Sequence, residues 1–210
     1  MAQAVLIFVS IVLSYLIGSI PTAYIFGRLL KGIDIREHGS GNVGATNAFR
    51  VLGKGPGTIV LILDILKGVI VTTLIVKISG IMDSWMPVLL GLIAVCGHNW
   101  TIFLNFKGGK GIATGLGVLI GLAIVIESMR PVLLIVLGTW LIVFCASGYV
   151  SLASIITAVI LPIMMTVFNQ DFILKIFGIV LCVFVVFRHK PNIKRLLEGK
   201  ENRVKLPFQK

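Results

Sequence analysis

The sequence predicts an all-α integral membrane protein, a polytopic bundle of seven transmembrane helices with its N-terminus outside and its C-terminus in the cytoplasm. Hydrophobic residues make up 57% of the 210 positions, and the mean hydropathy is +1.06. Only 13% of the residues are charged, so apolar runs long enough to cross a hydrocarbon layer of roughly 30 Å recur along the chain. These runs are nearly continuous, whereas the strands of a membrane barrel would alternate apolar and polar residues.

The predicted spans follow one another with short polar connections. We place them at residues 4–29, 56–78, 85–106, 111–126, 131–147, 152–168 and 172–187. No Lys or Arg precedes the first span, so it lacks the basic region of a cleavable signal peptide and is expected to remain in the protein. Residues 1–190 are therefore predicted to form one seven-helix transmembrane domain, with a basic cytoplasmic tail over 191–210 packed against it.

Basic residues are distributed unequally between these connections. The chain has 19 Lys and Arg residues against 8 Asp and Glu, a formal net charge of +11. With the seven spans as placed, all the basic residues except Lys67, Lys77, Arg130 and Lys175 fall on the side of the tail. Because positively charged connections stay in the cytoplasm, that side is predicted to be cytoplasmic. The charge thus indicates topology, and no nucleic-acid partner is expected.

Two glycine-rich strings lie on this predicted cytoplasmic face, each just before a span. The first is SGNVGATN over residues 40–47 and the second is KGGKGIAT over 107–114. A helix N-terminus offers unpaired backbone N–H groups and the positive end of its dipole, and glycine lets an anion approach the backbone closely. Neither string is a Walker A motif, which would need glycine at Leu104 and a hydroxyl at Gly111. The functional interpretation is two phosphate cradles on one face.

Each string also has a structural interpretation. Gly and Ala allow close packing of helices, and Ser40 and Asn42 can cap or turn the chain. The second string is harder to explain in this way, because Lys107 and Lys110 repel each other unless an anion lies between them. A lipid headgroup can be that anion, so lysines at a membrane edge are often anchors.

The segment RHKPNIKR over 188–195 adds a third basic element. A basic stretch next to a span commonly holds anionic lipid, and this explains most of its charges. His189 and Asn192 are different, because residues three apart on a helix point the same way. An imidazole between two cations favours its neutral form, which can accept a proton.

Ionisable groups inside spans are costly and are candidates for function. Asp64 and Lys67, three residues apart, are predicted to form a structural ion pair facing the bundle. His98 either supports the nearby Lys107 loop or is a satisfied core histidine, and Ser151 either caps a helix or contacts phosphate. The three histidines are dispersed and the acidic residues do not cluster, so no metal site is expected.

Four motifs taken together resemble one known family. They are SGNVGATN over 40–47, GHNW over 97–100 followed by KGGKGIAT over 107–114, YVSLAS over 149–154, and RHKPNIKRLL over 188–197. In this order and spacing they are similar to the bacterial membrane acyl-phosphate:glycerol-3-phosphate acyltransferase family, and the resemblance covers essentially the whole chain. One departure is Pro191, where family members commonly carry a polar residue, so the local helix geometry could differ.

The resemblance implies transfer of a fatty acyl group from acyl phosphate to the sn-1 hydroxyl of glycerol 3-phosphate. The products would be lysophosphatidate and phosphate, in the first step of phospholipid synthesis. The implied partners are glycerol 3-phosphate, fatty acyl phosphate, membrane lipid and, as a further candidate, the soluble enzyme that supplies acyl phosphate; no cofactor is implied. The implied location is the bacterial cytoplasmic (inner) membrane, with the active site facing the cytoplasm.

The resemblance also assigns roles to residues. Ser40, Lys110, His189 and Asn192 are the expected catalytic residues. The expected substrate-binding set is Ser40, Asn42, Asn47, Arg50, Lys107, Gly108, Gly109, Lys110, Thr114, Arg188, His189 and Asn192. Within that set, Asn42, Asn47 and the Gly108–Gly109 backbone are expected to shape the cradle, and His98 and Ser151 are expected to support the residues that touch substrate.

The implied donor is a mixed anhydride with a good leaving group, so direct attack by the glycerol hydroxyl is expected. The chain has neither an HxxxxD motif nor a GxSxG elbow. The base is either His189 or a phosphate oxygen of the donor. Two other classes remain open, a transporter or channel for organic phosphates, whose site would lie near the bilayer midplane, and a flippase-like or structural lipid-binding protein.

Overall fold

The computed structural model describes residues 1–81 and 83–204, and this part of the chain is helical, with no strand. It divides into two compact units, Met1–Ile126 and a second that begins at Glu127. The helices of the first unit are α1 (Ala2–Ser19), α2 (Thr22–Lys31), α3 (Ala45–Leu52), α4 (Lys54–Ile70), α5 (Val76–Ser79), α6 (Trp85–Asn99) and α7 (Ile112–Val125). Those of the second are α8 (Met129–Ser147), α9 (Val150–Val167), α10 (Phe172–Arg188) and α11 (Lys190–Leu197).

Five helical stretches of the described chain are long and apolar enough to cross a membrane. They are Ala2–Ser19, Lys54–Ser79, Trp85–Leu104, Met129–Ser147 and Val150–Val167. A sixth is possible if α10 and α11, which bend by 60° at their junction, count as one span, and α7 is a shorter apolar helix. The helical, membrane-spanning character predicted from the sequence is confirmed, whereas the number of seven spans and the orientation of the termini stay predictions.

The first predicted span, 4–29, is wrong as a single helix. Helix α1 ends at Ser19, and α2 begins at Thr22. Ile20 between them has ψ 114°, outside the helical region. Proline disfavours a helical conformation in the residue before it and cannot donate a backbone hydrogen bond, so Pro21 ends the first helix.

Small residues set the packing of the first unit. A Cβ on Gly117 of α7 would overlap the carbonyl of Ile65 on α4, and a Cβ on Gly68 of α4 would overlap the carbonyl of Thr114 on α7. The backbones of α4 and α7 therefore touch, as is common where helices meet in membranes. Gly18 gives α1 the same close approach to Ala94 of α6. A π-helical turn, Val71–Ile75, continues α4 into α5.

The second unit is built around α9, which packs on both α8 and α10. Phe177 and Leu174 of α10 are buried, as are Leu161 and Met165 of α9. Residues 191–204 of the predicted tail belong to this unit, and residues 205–210 lie outside the described chain. The division into a domain over 1–190 and a tail over 191–210 stays a prediction.

Candidate active site

The first string forms a loop that Asn47 holds in place. Asn47 is fully buried on α3, and its side-chain nitrogen donates to the carbonyl oxygens of Ile35 and His38 at 3.2 and 3.0 Å. Its side-chain oxygen accepts the backbone N–H of Ser40 at 2.9 Å. Both ends of the amide are used within the loop. Asn47 thus shapes the string, as expected, and a direct contact with substrate stays a prediction.

Ser40 and Arg50 are exposed on this loop and helix, and Asn42 is half-buried. Gly39 and Gly41, on either side of Ser40, have φ values of +63° and +70°, which L side chains rarely adopt. The last three residues of the string form the start of α3, which begins at Ala45, so the string does contain a helix N-terminus. That helix has 8 residues and is not a span, which corrects the expectation that the string leads directly into the membrane.

Asp34 anchors the segment ahead of the first string. The guanidinium of Arg36 donates to the Asp34 carboxylate at 2.6 Å, and Arg28 lies 3.5 Å away. The hydrogen bonds from Arg36 hold the pKa of the Asp34 carboxyl at about 2, well below its usual range. Asp34 is therefore ionised at any physiological pH and fixes both arginines to the fold of this segment.

The second string contains a turn held by the end of α6. The N–H of Gly108 donates to the carbonyl of Asn99 at 3.2 Å, and the N–H of Gly109 donates to the carbonyl of His98 at 2.9 Å. A Cβ on Gly108 would overlap that carbonyl of His98, and a Cβ on Gly109 would overlap the His98 ring. Only glycine fits at these two positions, so the turn is shaped by its contact with α6.

The two lysines flank this buried turn at its surface. Lys107 is exposed and Lys110 is half-buried, next to Gly111, which has φ +76° and precedes α7. The expectation that the string ends at a helix N-terminus is confirmed. Thr114, by contrast, is fully buried on α7, and its hydroxyl has no hydrogen-bond partner among the described residues. Its position against α4 indicates packing, and its predicted contact with substrate gains no support.

The structure brings the two strings together within the first unit. Val43 of the first string and Gly108 and Gly109 of the second line one small cavity of about 10 Å³. Its remaining walls come from the break between α1 and α2 and from Asp64, His98 and Thr101. The strings predicted to bind phosphate are therefore adjacent, although residues 48–106 separate them along the chain.

His189 lies at the junction of α10 and α11 and is buried. Its Nδ1 is 2.8 Å from the carbonyl oxygen of Val185. A carbonyl only accepts, so Nδ1 carries the proton in this hydrogen bond. The neutral imidazole then has its lone pair on Nε2, and this tautomer follows from the bond rather than from observed hydrogens.

Asn192, one turn further along, is also buried and binds a residue that sequence reasoning missed. Its side-chain nitrogen donates to Oε1 of Glu201 at 2.6 Å. The same Glu201 carboxylate accepts the hydroxyl of Ser151 at 2.9 Å and Nε of Arg195 at 2.7 Å. Burial acts to raise the pKa of the Glu201 carboxyl, but these hydrogen bonds outweigh it and hold the pKa below its usual range. The only sequence signal was an acidic residue within a basic tail.

The other residues of the second unit that the sequence singled out lie at or near helix ends. Arg188 is the last residue of α10 and is half-buried. Pro191 lies in the first turn of α11, where a backbone N–H has no helical partner to lose, so the helix tolerates it. Ser151 supports Asn192 through Glu201, and it does not cap α9, whose N-cap is Tyr149.

The chain is similar to known acyltransferases over nearly all its length. The family model described as glycerol-3-phosphate acyltransferase matches residues 8–199. The glycerol-3-phosphate acyltransferase of Chlorobium phaeobacteroides (strain BS1) is 45% identical, with 94% of this chain and 96% of that protein covered. The enzyme of the same name from Fusobacterium nucleatum is 44% identical, with 94% and 98% covered.

Two crystal structures of PlsY (YgiH), an integral membrane glycerol 3-phosphate acyltransferase, have the same fold. The glycerol 3-phosphate form aligns with a TM-score of 0.86 and 39% identity over 97% of this chain and 99% of that one. The lysophosphatidic acid form aligns with a TM-score of 0.82 at 39% identity, over 95% of each chain. With its apolar helices, this likeness makes the protein a multi-pass membrane protein, and the chain belongs to the glycerol-3-phosphate acyltransferase family.

Proposed function

We propose that this protein transfers a fatty acyl group from acyl phosphate to the sn-1 hydroxyl of glycerol 3-phosphate, releasing lysophosphatidate and phosphate. The observation that carries the proposal is the 39% identity, across 97% of the chain, with PlsY in its glycerol 3-phosphate form. The adjacent strings of the first unit add physical support, because Lys107 and Lys110 flank the Gly108–Gly109 turn and their charges suit a phosphate.

The reaction needs one bond to form and one to break. The glycerol hydroxyl oxygen attacks the carbonyl carbon of acyl phosphate, and the bond from that carbon to the phosphate oxygen breaks. The hydroxyl proton passes to Nε2 of His189 or to a phosphate oxygen of the donor, and phosphate leaves. Positioning the two substrates and stabilising the developing negative charge supply the acceleration.

The proposal assigns residue roles unit by unit. In the first unit, Ser40, Arg50 and Lys110 bind the phosphate of glycerol 3-phosphate, and Arg50 suits a bidentate contact. In the second, His189 and Asn192 are proposed as substrate-binding residues on the strength of the motif RHKPNIKR. The further assignments are Asn42, Lys107 and Arg188 as additional polar contacts, and Asn47 with Gly108 and Gly109 as the groups that shape the loops.

We further propose that the protein lies in the bacterial inner membrane with the N-terminus outside and the active site facing the cytoplasm. The distribution of Lys and Arg supports this orientation. Both strings and the His189 segment then face the compartment in which glycerol 3-phosphate is soluble, and the apolar helices face the lipid that holds the acyl chain.

The donor is tested with purified protein in detergent. Labelled glycerol 3-phosphate is supplied with palmitoyl phosphate, palmitoyl-CoA or palmitoyl-acyl carrier protein, and labelled lysophosphatidate and its acyl position are measured. We expect 1-acyl product from palmitoyl phosphate alone. Product from either thioester at an equal rate would overturn the donor assignment, and absence of product from all three by folded protein would overturn the proposed activity.

A further inference from the structure

Three buried ionisable residues near the second string, Asp64, Lys67 and His98, take no part in the proposed acyl transfer. Asp64 is 0% exposed, Lys67 5% and His98 8%, all within the apolar body of the first unit. Nζ of Lys67 lies 2.5 Å from Oδ1 of Asp64, so the predicted ion pair is present. The hydroxyl of Thr22 donates to the same Oδ1 at 2.6 Å.

A gain in stability does not explain why an ion pair is buried at such a site. Removing two charges from water costs several kcal/mol per ion, and replacing a buried pair by apolar residues is often neutral or stabilising. Lys67 also donates to the carbonyl of Ile20 at the break between α1 and α2. The Lys67 ammonium group therefore has a structural role, as a hydrogen-bond donor to this break. The carboxylate needs a further explanation, because its second oxygen, Oδ2, is buried and has no hydrogen-bond partner among the described residues.

The cavity shared by the two strings lies against this carboxylate. Asp64, His98, Gly108 and Gly109 all line it, and its volume of about 10 Å³ is close to that of one water molecule. Nδ1 of His98 is 3.9 Å from Oδ1 of Asp64, too far for a hydrogen bond. Polar groups at such a separation are commonly bridged by water, and an orphaned carboxylate oxygen is a strong acceptor for one.

His98 in turn touches the turn of the second string by two routes. Its carbonyl accepts the N–H of Gly109, and its ring leaves no space for a Cβ at that residue. The imidazole therefore lies directly against Gly109, and the backbone of His98 is hydrogen-bonded to the same residue.

We propose that one water molecule in this cavity bridges Asp64 and His98, and that Asp64 is thereby a positioning residue for the Gly108–Gly109 turn. Asp64 does not touch substrate in this account. It fixes the imidazole, and the imidazole fixes the backbone between Lys107 and Lys110. The inference rests on the proposed function only in assigning that turn to glycerol 3-phosphate.

The decisive variant replaces the ion pair as a unit. In Asp64→Leu/Lys67→Met both charges are replaced by apolar side chains of similar size, so the bridge is lost together with the hydrogen bonds from Thr22 to Asp64 and from Lys67 to Ile20. The matched control is Thr73→Val, because that hydroxyl donates to the carbonyl of Val69 in its own helical stretch and Thr73 does not line the cavity. Melting temperature in detergent establishes that each variant is folded.

Two readouts separate positioning from mere packing. The first is equilibrium binding of labelled glycerol 3-phosphate, which we expect to weaken by about 10- to 100-fold in the double variant and to stay unchanged in Thr73→Val. The second is hydrogen exchange of the Gly108 and Gly109 amides by mass spectrometry, which we expect to accelerate only in the double variant. A folded double variant with wild-type binding and wild-type exchange would overturn the inference.

Two further results need their own criteria, an unfolded double variant and a wild-type protein that does not bind glycerol 3-phosphate. If the double variant does not fold, Asp64→Asn is measured below its melting temperature, because the amide keeps the shape of the carboxylate; unchanged exchange at Gly108 and Gly109 in that variant overturns the inference. If the wild-type protein binds no glycerol 3-phosphate, the proposed function has failed. The exchange rates then still decide whether Asp64 positions the turn.

Discussion

The imidazole of His189 is the side chain whose geometry bears most directly on proton transfer. Its Nδ1 donates to the carbonyl of Val185, which places the lone pair of the neutral ring on Nε2. An acceptor at Nε2 suits both candidate roles, a general base and an orienting hydrogen-bond acceptor for the glycerol hydroxyl. The two roles differ in their dependence on pH.

If His189 is the base, His189→Asn should keep affinity for glycerol 3-phosphate but lower kcat by about 10²- to 10⁴-fold. Wild-type activity should fall on the acidic side as the imidazole is protonated, and this limb should be missing in His189→Ala. The measurement is kcat and KM across pH for the three proteins. An alanine variant with the wild-type pH profile would assign the proton to the donor phosphate.

Glu201 is expected to matter for stability through its three donors. In Glu201→Gln the amide nitrogen faces at least one donor that the carboxylate satisfied, and each unsatisfied buried group costs about 1–3 kcal/mol. The melting temperature in detergent should fall by several degrees. A variant as stable as wild type would show that these hydrogen bonds contribute nothing net.

The same carboxylate predicts a pH dependence of that difference. Because the folded pKa of Glu201 lies below the unfolded one, its stabilisation is present above the unfolded pKa and is lost as pH falls through the folded value. The gap in melting temperature between wild type and Glu201→Gln should therefore be full at neutral pH and close in acid. A gap that is constant with pH would mean that charge is not the cause.

At the scale of elements, the contact of α4 with α7 depends on glycine. Gly117→Ala places a methyl group on the Ile65 carbonyl, and overpacking of this kind costs about 1–3 kcal/mol. Gly138→Ala on α8 is the matched control, because no atom of the part of the chain that the structure describes lies within 4 Å of its Cβ position. We expect a lower melting temperature for the first variant and an equal or higher one for the second. Equal effects would show that α4 and α7 do not need the close approach.

The helices themselves could be predicted because burial in lipid requires long apolar runs with internal backbone hydrogen bonds. The break at Pro21 was missed because apolar residues continue on both sides of it. The Asp64–Lys67 pair followed from a spacing of three on one helix. The bonds of Glu201 to Ser151 and of Asn47 to Ile35 depend on how separate elements fold back, so no local pattern indicated them.

In the candidate site, too, features set by local sequence patterns could be predicted and contacts between separate elements could not. Motif order predicted which residues form loops at helix N-termini, and α3 and α7 do begin directly after Gly44 and Gly111. The sequence did not indicate that Thr114 is buried against α4. It offered support of the Lys107 loop by His98 as one of two alternatives, without indicating that the carbonyl of His98 is the group that bonds to Gly109. Those facts depend on the close contacts of helices, which composition does not encode.

At the scale of the whole molecule, the charge distribution predicts a tail in the cytoplasm. In a variant with the three native cysteines replaced, Lys200→Cys should react with a membrane-impermeant maleimide only after the cells are opened. Lys77→Cys, on the face predicted to lie outside, should react in intact cells. The opposite pattern would reverse the orientation of the protein and place the strings outside.

The central claim is that the protein makes lysophosphatidate with phosphate bound at the second string. The most direct test is the rate of labelled lysophosphatidate formation from palmitoyl phosphate and glycerol 3-phosphate by wild type, Lys110→Ala and Lys77→Ala. Lys77 is an exposed lysine of the same unit far from either string in sequence, so it controls for loss of positive charge. We predict full activity in wild type and Lys77→Ala and a loss of at least about 100-fold in Lys110→Ala. Equal activity in all three proteins would contradict the site, and folded wild-type protein without product would contradict the function.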